Sequence, residues 1–60
     1  MKSTEHRSIY WQTHEDNALL EYHERHMSYE EIAKALGRSV LAVKCRLLRL
    51  NQITVDEAAT

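Results

Sequence analysis

The fold is decided by residues 28–50, which read SYEEIAKALGRSVLAVKCRLLRL. Ser28 and Glu31 form the Ser-x-x-Glu pattern of a capping box, in which each side chain accepts a hydrogen bond from the other residue's backbone N–H. Gly37 is the only glycine in the chain. Glycine is the residue that most easily adopts the left-handed conformation found just after a helix. A short helix is therefore predicted between Ser28 and Gly37.

A second helix start follows after only two residues. Ser39 is a favourable N-cap residue, and the apolar residues Val43, Leu47 and Leu50 recur at i, i+4 and i+7, which places them on one helix face. This spacing predicts a helix over residues 40–51. Two helices joined by a three-residue turn that contains glycine form a helix-turn-helix unit.

Another helix is predicted upstream, over residues 13–26. Thr13 followed by Asp16 is a variant of the capping box, and an acidic first turn suits the positive end of the helix dipole. The residues at helical spacing that continue this segment are Ala18, Leu19, Tyr22 and His26.

The chain contains no proline and shows no strand alternation, so the sequence predicts an all-α fold. We expect a three-helix bundle with a helix-turn-helix over residues 9–51, preceded by a flexible segment, 1–8, and followed by a flexible tail, 52–60. The predicted core consists of Trp11, Leu19, Tyr22, Tyr29, Ile32, Ala33, Leu36, Val43, Leu47 and Leu50.

The length of the chain and its single cysteine limit the classes of protein to which it can belong. Sixty residues make one small domain, and the single cysteine, Cys45, excludes an internal disulfide bond. No apolar run approaches the ~18 residues that span a bilayer, and no hydrophobic stretch follows the N-terminus as in a signal peptide. We expect a soluble intracellular protein, nuclear in a eukaryote and cytoplasmic or nucleoid-associated in a bacterium or phage.

The net charge of −1 conceals a separation of charge along the chain. Residues 1–31 carry three cations and seven anions, whereas residues 32–55 carry five cations and no anion. Local charge sets the field that a phosphate backbone meets, so the second block favours a nucleic-acid partner. The acidic residues of the first helix are expected on a solvated face that points away from DNA; they are Glu15, Asp16, Glu21 and Glu24.

In helix-turn-helix units the second helix lies in the major groove of DNA. Leu41, Cys45 and Leu48 offer only apolar contact with a thymine methyl group or a sugar. We therefore expect affinity to depend mainly on phosphate contacts and to fall steeply with salt. The candidate DNA-binding residues are Lys34, Arg38, Ser39, Leu41, Lys44, Cys45, Arg46, Leu48 and Arg49.

Three features within residues 11–50 form a known combination: Trp11 with the acidic pair at 15 and 16, YEEIAKALGRS at 29–39, and AVKCRL at 42–47. Together they resemble the Myb/SANT family. The three spaced aromatic core residues of the family correspond here to Trp11, Tyr29 and Leu47, so two of the three tryptophans are replaced. The chain is therefore most similar to divergent, single Myb-like repeats.

This resemblance implies a three-helix fold, similar to that of homeodomains, that binds double-stranded DNA through its third helix. Lys44 corresponds to a position that commonly contacts bases, whereas the positions of Leu41, Cys45 and Leu48 usually carry polar base-reading residues. The resemblance also implies a part in a transcriptional regulator or in a chromatin- or telomere-associated protein.

One alternative is a protein-interaction module. SANT members of the family bind proteins, including histone tails, and tend to have acidic third helices. The basic third helix here disfavours histone tails but leaves open another protein partner or a homodimer. Exposed apolar residues arranged as a patch often mark such an interface, and Leu41, Cys45 and Leu48 are the candidates.

Metal binding and catalysis have little support in the sequence. His23 and His26 are spaced i, i+3, but a closed zinc site needs four ligands and the single cysteine is predicted on a distant helix. No glycine-rich phosphate loop is present, and a bundle of this size offers no deep cleft. We therefore expect a non-enzymatic protein without a metal or other cofactor.

Overall fold

The computed structural model describes residues 10–59, which form four α-helices and no strand. The predicted all-α class is confirmed over these residues, and the predicted flexible segment 1–8 lies outside them. None of the four helices has the length and apolar character needed to cross a bilayer. The helices are α1 (Thr13–Glu24), α2 (Tyr29–Leu36), α3 (Val40–Arg49) and α4 (Val55–Ala59).

The start and end signals of α2 act as the sequence predicted. The Ser28 hydroxyl accepts a hydrogen bond from the Glu31 backbone N–H, and a Glu31 carboxylate oxygen accepts one from the Ser28 N–H, both at 3.1 Å. Gly37 ends the helix in the left-handed conformation, with φ of 68°. Ser39 then caps α3 by accepting a hydrogen bond from the Ala42 N–H at 3.1 Å. The connection between α2 and α3 is thus three residues long and is fixed at both ends.

The predicted cap of α1 is wrong by one residue. Gln12, in an extended conformation, is the N-cap, and Thr13 is the first helical residue. The Gln12 N–H donates to the Glu15 carboxylate at 3.1 Å, so Glu15 rather than Asp16 closes the start of the helix. This shift leaves the Asp16 carboxylate for a contact with α3, described below.

Both α1 and α3 end two residues before their predicted limits, because left-handed residues stop them. His26 has φ of 62° and Asn51 has φ of 60°, and neither is a glycine. After each left-handed residue the next N–H bonds back to a carbonyl of the last helical turn, which is the Schellman arrangement. The closing bonds of α1 and α3 are Met27 N–H to Tyr22 O at 3.2 Å and Gln52 N–H to Leu47 O at 2.9 Å. The α2 helix closes in the same way after Gly37, with Arg38 N–H bonded to Ala33 O at 2.9 Å.

The hydrophobic core is formed by the facing sides of α1, α2 and α3 together with one residue beyond α3. Its buried members are Leu19, Ile32, Ala33, Val43, Leu47 and Ile53. All ten residues predicted for the core either belong to this set or pack against it.

The tail predicted to be flexible instead contains structure over residues 52–59. Ile53 is buried in the core, and Ala58 of α4 packs against it. Thr54 and Glu57 form a capping box, with hydrogen bonds of 2.8 Å and 3.3 Å between each side chain and the other's N–H. This element was not predicted because the periodicity of residues 52–59 is weak and the segment ends in small residues. The Thr-x-x-Glu pattern was the available signal.

Candidate nucleic-acid interface

The predicted binding surface is the side of α3 that points away from the core. Leu41, Cys45 and Arg49 are exposed there at a spacing of four residues, and Leu41 is 69% exposed. They border a surface depression of about 480 Å³. We call the residues around this depression the α3 face: Trp11, Ser39, Leu41, Ala42, Cys45, Arg46 and Arg49.

Arg38 was predicted to contact phosphates, but its side chain is only 2% exposed. Its Nη2 atom donates to both carboxylate oxygens of Glu15, at 3.0 and 3.1 Å, and to the backbone carbonyl of Tyr10 at 2.8 Å. Its guanidinium carbon lies 4.2 Å from the centre of the Trp11 ring. The turn after α2 points Arg38 at the start of α1, so this cation is unavailable to DNA.

The environment of Arg38 makes the Glu15 contact important for stability. The Nε and Nη1 atoms of Arg38 are buried and have no hydrogen-bond partner among residues 10–59. A buried charge is costly unless it is paired, and a guanidinium over an indole ring gains a cation–π attraction. The Glu15 carboxylate and the Trp11 ring therefore together offset the free-energy cost of burying the Arg38 guanidinium. Through this contact, Glu15 joins the start of α1 to the turn between α2 and α3.

A second ion pair, between Arg46 and Asp16, links α3 to α1. The guanidinium donates from Nε and Nη2 to the two carboxylate oxygens, at 2.9 and 2.7 Å. The two side chains remain 26% and 20% exposed. The hydrogen bonds from Arg46 lower the pKa of Asp16, and those to Asp16 raise the pKa of Arg46.

The expectation that the acidic residues of α1 form a solvated face is therefore wrong for Glu15 and Asp16. The first turn of α1 lies against the α2–α3 unit, so both carboxylates meet arginines from the basic block. Two of the five cations in residues 32–55 are paired in the folded domain. The available positive charge is smaller than the sequence count indicates.

The three other cations of the block form no ion pair with a residue in the range 10–59, and they differ in position. Arg49 belongs to the α3 face. Lys44 lies on a flank of α3, with its Nζ atom 5.4 Å from the centre of the Tyr29 ring. Lys34 is exposed on α2, beside Met27 and outside the α3 face.

Leu48 also differs from its predicted place on the exposed side of α3. It is half-buried and packs against the core. The core cluster against which Leu48 packs includes Ile53, a residue outside the predicted bundle. The exposed apolar part of α3 consequently narrows to Leu41 and Cys45, with Ala42 half-buried beside them.

The described part of the chain also bears on the question of a metal site. Over residues 10–59, no three His, Cys, Asp or Glu side chains are grouped so that they could hold a metal ion. Comparisons of this chain with protein-family models, with curated proteins and with solved structures found no match. Its function is therefore inferred from the geometry and charge of this face.

The Glu15→Ala substitution tests the role of the buried ion pair. It leaves the Arg38 guanidinium buried without its carboxylate and removes the cap of α1. We expect a loss of about 3–5 kcal/mol in the free energy of unfolding, measured by urea denaturation followed by circular dichroism. The matched control is Glu21→Ala, which lies in α1 like Glu15 and breaks only the exposed ion pair with Arg25. It should lower the free energy of unfolding by only about 0.5 kcal/mol. Equal losses in the two variants would contradict this assignment.

The Asp16→Asn substitution tests the second ion pair through pH. Because the folded state holds the pKa of Asp16 below its ordinary 3.8, the unfolded state binds more protons in acid. The contribution of Asp16 to stability is thus complete above the unfolded-state pKa and disappears as pH falls through the folded-state pKa. We expect thermal melts of Asp16→Asn to depend less on pH than those of the unmodified protein between about pH 5 and 2.

Arg46→Met should flatten the same pH profile to a similar degree, because the Asp16 pKa is lowered mainly by Arg46. An Asp16→Asn variant with the full acid sensitivity of the unmodified protein would show that this pair does not stabilise the fold.

Proposed function

We propose that this chain is a DNA-binding module of the Myb/SANT-like helix-turn-helix type, with α3 in the major groove. The observation that carries the proposal is the charge of α3 and its surroundings. Arg49 and Lys44 project from α3 without an ion-pair partner in residues 10–59, and no acidic residue occurs between residues 32 and 55. A phosphate backbone is the partner that such a surface attracts.

The geometry of the α2–α3 unit supports the same conclusion. Two helices joined by three residues, with the second helix exposed along one side, match the arrangement that places a helix in the major groove. In such units the N-terminal residues of the second helix approach the bases. Ser39 and Leu41 occupy that end of α3, and the adjoining Arg38 is held by Glu15. The N-terminal end of α3, which would approach the bases, is thus held in place in the free protein.

The ion pairs change the expected strength of binding. Each neutralised phosphate contributes a slope of about −0.9 to the dependence of log affinity on log salt concentration. Five free cations would give a slope near −5, whereas the three cations that form no ion pair within residues 10–59 give about −3. Affinity is accordingly expected in the range of non-specific binding, on the order of 10⁻⁴ to 10⁻⁶ M at physiological salt. The module would then act as one part of a transcriptional regulator or of a chromatin- or telomere-associated protein.

A second candidate function is protein interaction or homodimerisation through α3. The observation that favours it is the exposure of Leu41 beside Cys45 on the rim of the depression. Leu48 contributes less to such a surface than the sequence indicated, because it is half-buried. The remaining apolar area is small for a stable dimer, which favours the DNA-binding proposal.

Fluorescence anisotropy with a labelled duplex tests the proposal. Affinity measured between about 50 and 200 mM salt should fall with a slope of about −3. Arg49→Ala and Lys44→Ala should each weaken binding and reduce that slope by about 1, because each removes one phosphate contact. The matched control is Arg25→Ala, which removes the cation at the C-cap of α1 that is already paired with Glu21.

An equal effect of Arg25→Ala would show that binding follows overall charge and not α3. If no duplex binds at low salt, and sedimentation shows a dimer that Leu41→Ala dissociates, the second candidate replaces the first.

A further inference from the structure

The α3 face has an unusual chemistry for a surface that reads bases. Its apolar centre consists of Leu41 and Cys45, with the half-buried Ala42 to one side, and none of these residues is a strong hydrogen-bond donor or acceptor. Of the two arginines at its margin, Arg46 is bound to both oxygens of Asp16. The bidentate contacts by which Arg, Asn or Gln identify guanine and adenine are therefore scarce on this surface.

The charges on α3 are arranged on both sides of this apolar centre. At about 100° per residue, Leu41 and Cys45 lie between Lys44 on one side of the helix and Arg49 on the other. The major groove has the complementary order, because its floor of base edges runs between two phosphate backbones. A helix with cationic flanks therefore places its apolar centre against the bases.

We infer that the α3 face recognises the C5-methyl group of thymine by apolar contact, mainly through Leu41; this inference rests on the proposed DNA-binding function. Thymine is the base that presents a methyl group in the major groove, where apolar side chains contact it. Leu41 lies in the first turn of α3, the part of such a helix that reaches base edges. Its side chain is exposed and is thus available for this contact.

The inference defines how the domain distinguishes sequences. Removing one methyl group from water contributes about a fourfold change in affinity. A site with two contacted thymines would bind roughly 15-fold tighter than one without them. Preference would follow the placement of thymine methyl groups, not the hydrogen-bonding pattern of guanine.

Replacement of thymidine by deoxyuridine tests this inference, because the base uracil differs from thymine only in lacking the C5-methyl group. Duplexes of about 20 base pairs are first enriched from a random pool on the full chain. The enriched duplex is then remade with deoxyuridine at one thymine at a time. We expect an approximately fourfold loss of affinity at each contacted position. Leu41→Ala should bind the thymine and deoxyuridine duplexes equally.

The matched control is Val55→Ala, since Val55 is 72% exposed and lies on α4, outside the α3 face. This variant should keep the full preference for thymine. Circular dichroism of both variants verifies that they fold, as expected for substitutions of exposed residues.

The outcomes separate the inference from the proposed function. Equal affinity for thymine and deoxyuridine duplexes overturns the inference while DNA binding stands, and failure to enrich any sequence does the same. A preference that survives in Leu41→Ala also overturns it, because the methyl group is then contacted elsewhere. Absence of binding to every duplex at low salt overturns the proposed function together with the inference.

Discussion

The buried ion pair between Arg38 and Glu15 fixes the start of α1 against the turn between α2 and α3. Its guanidinium lies almost wholly out of water, against the Trp11 ring, and bonds to a carboxylate that also caps α1. Removal of either charge would strand the other in a low-dielectric site, so the pair constrains α1 and the α2–α3 turn to one arrangement. The core of the described chain has only six buried hydrophobic residues, among them Val43 and Leu47, which turn one side of α3 inward. The ion pair adds a fixed contact between α1 and the turn that leads into α3.

The same arrangement determines the charge that a partner meets. Since the first turn of α1 is held against the α2–α3 unit, Asp16 reaches Arg46 and neutralises part of the basic block. The cations beyond the reach of these acids are Lys34, Lys44 and Arg49, and two of the three flank the exposed side of α3. An apolar strip between positive flanks fits a groove floor between two phosphate backbones better than it fits a flat protein surface. The acidic start of α1 therefore links the packing of the domain to the charge on which the proposed function depends.

The parts of this fold that follow from local rules were predictable from the sequence. Both limits of α2 were predictable, because Ser28, Glu31 and Gly37 lie within or next to the helix whose ends they define. The ends of α1 and α3 were placed two residues late, because His26 and Asn51 adopt the left-handed conformation without being glycine.

The ion pairs of Arg38 and Arg46 join residues 23 and 30 positions apart, and no local pattern marks such distant partners. The exposed stripe of Leu41, Cys45 and Arg49 was predictable from helical periodicity, whereas the burial of Arg38 and Leu48 depended on packing between elements.

The central claim, that the chain binds DNA through α3, is tested most directly by an NMR titration of the ¹⁵N-labelled chain with duplex DNA at low salt. The account predicts saturable amide shifts concentrated along the exposed stripe of α3 and small shifts on the outer side of α1. Unshifted spectra, or shifts that are largest on α1, would contradict it.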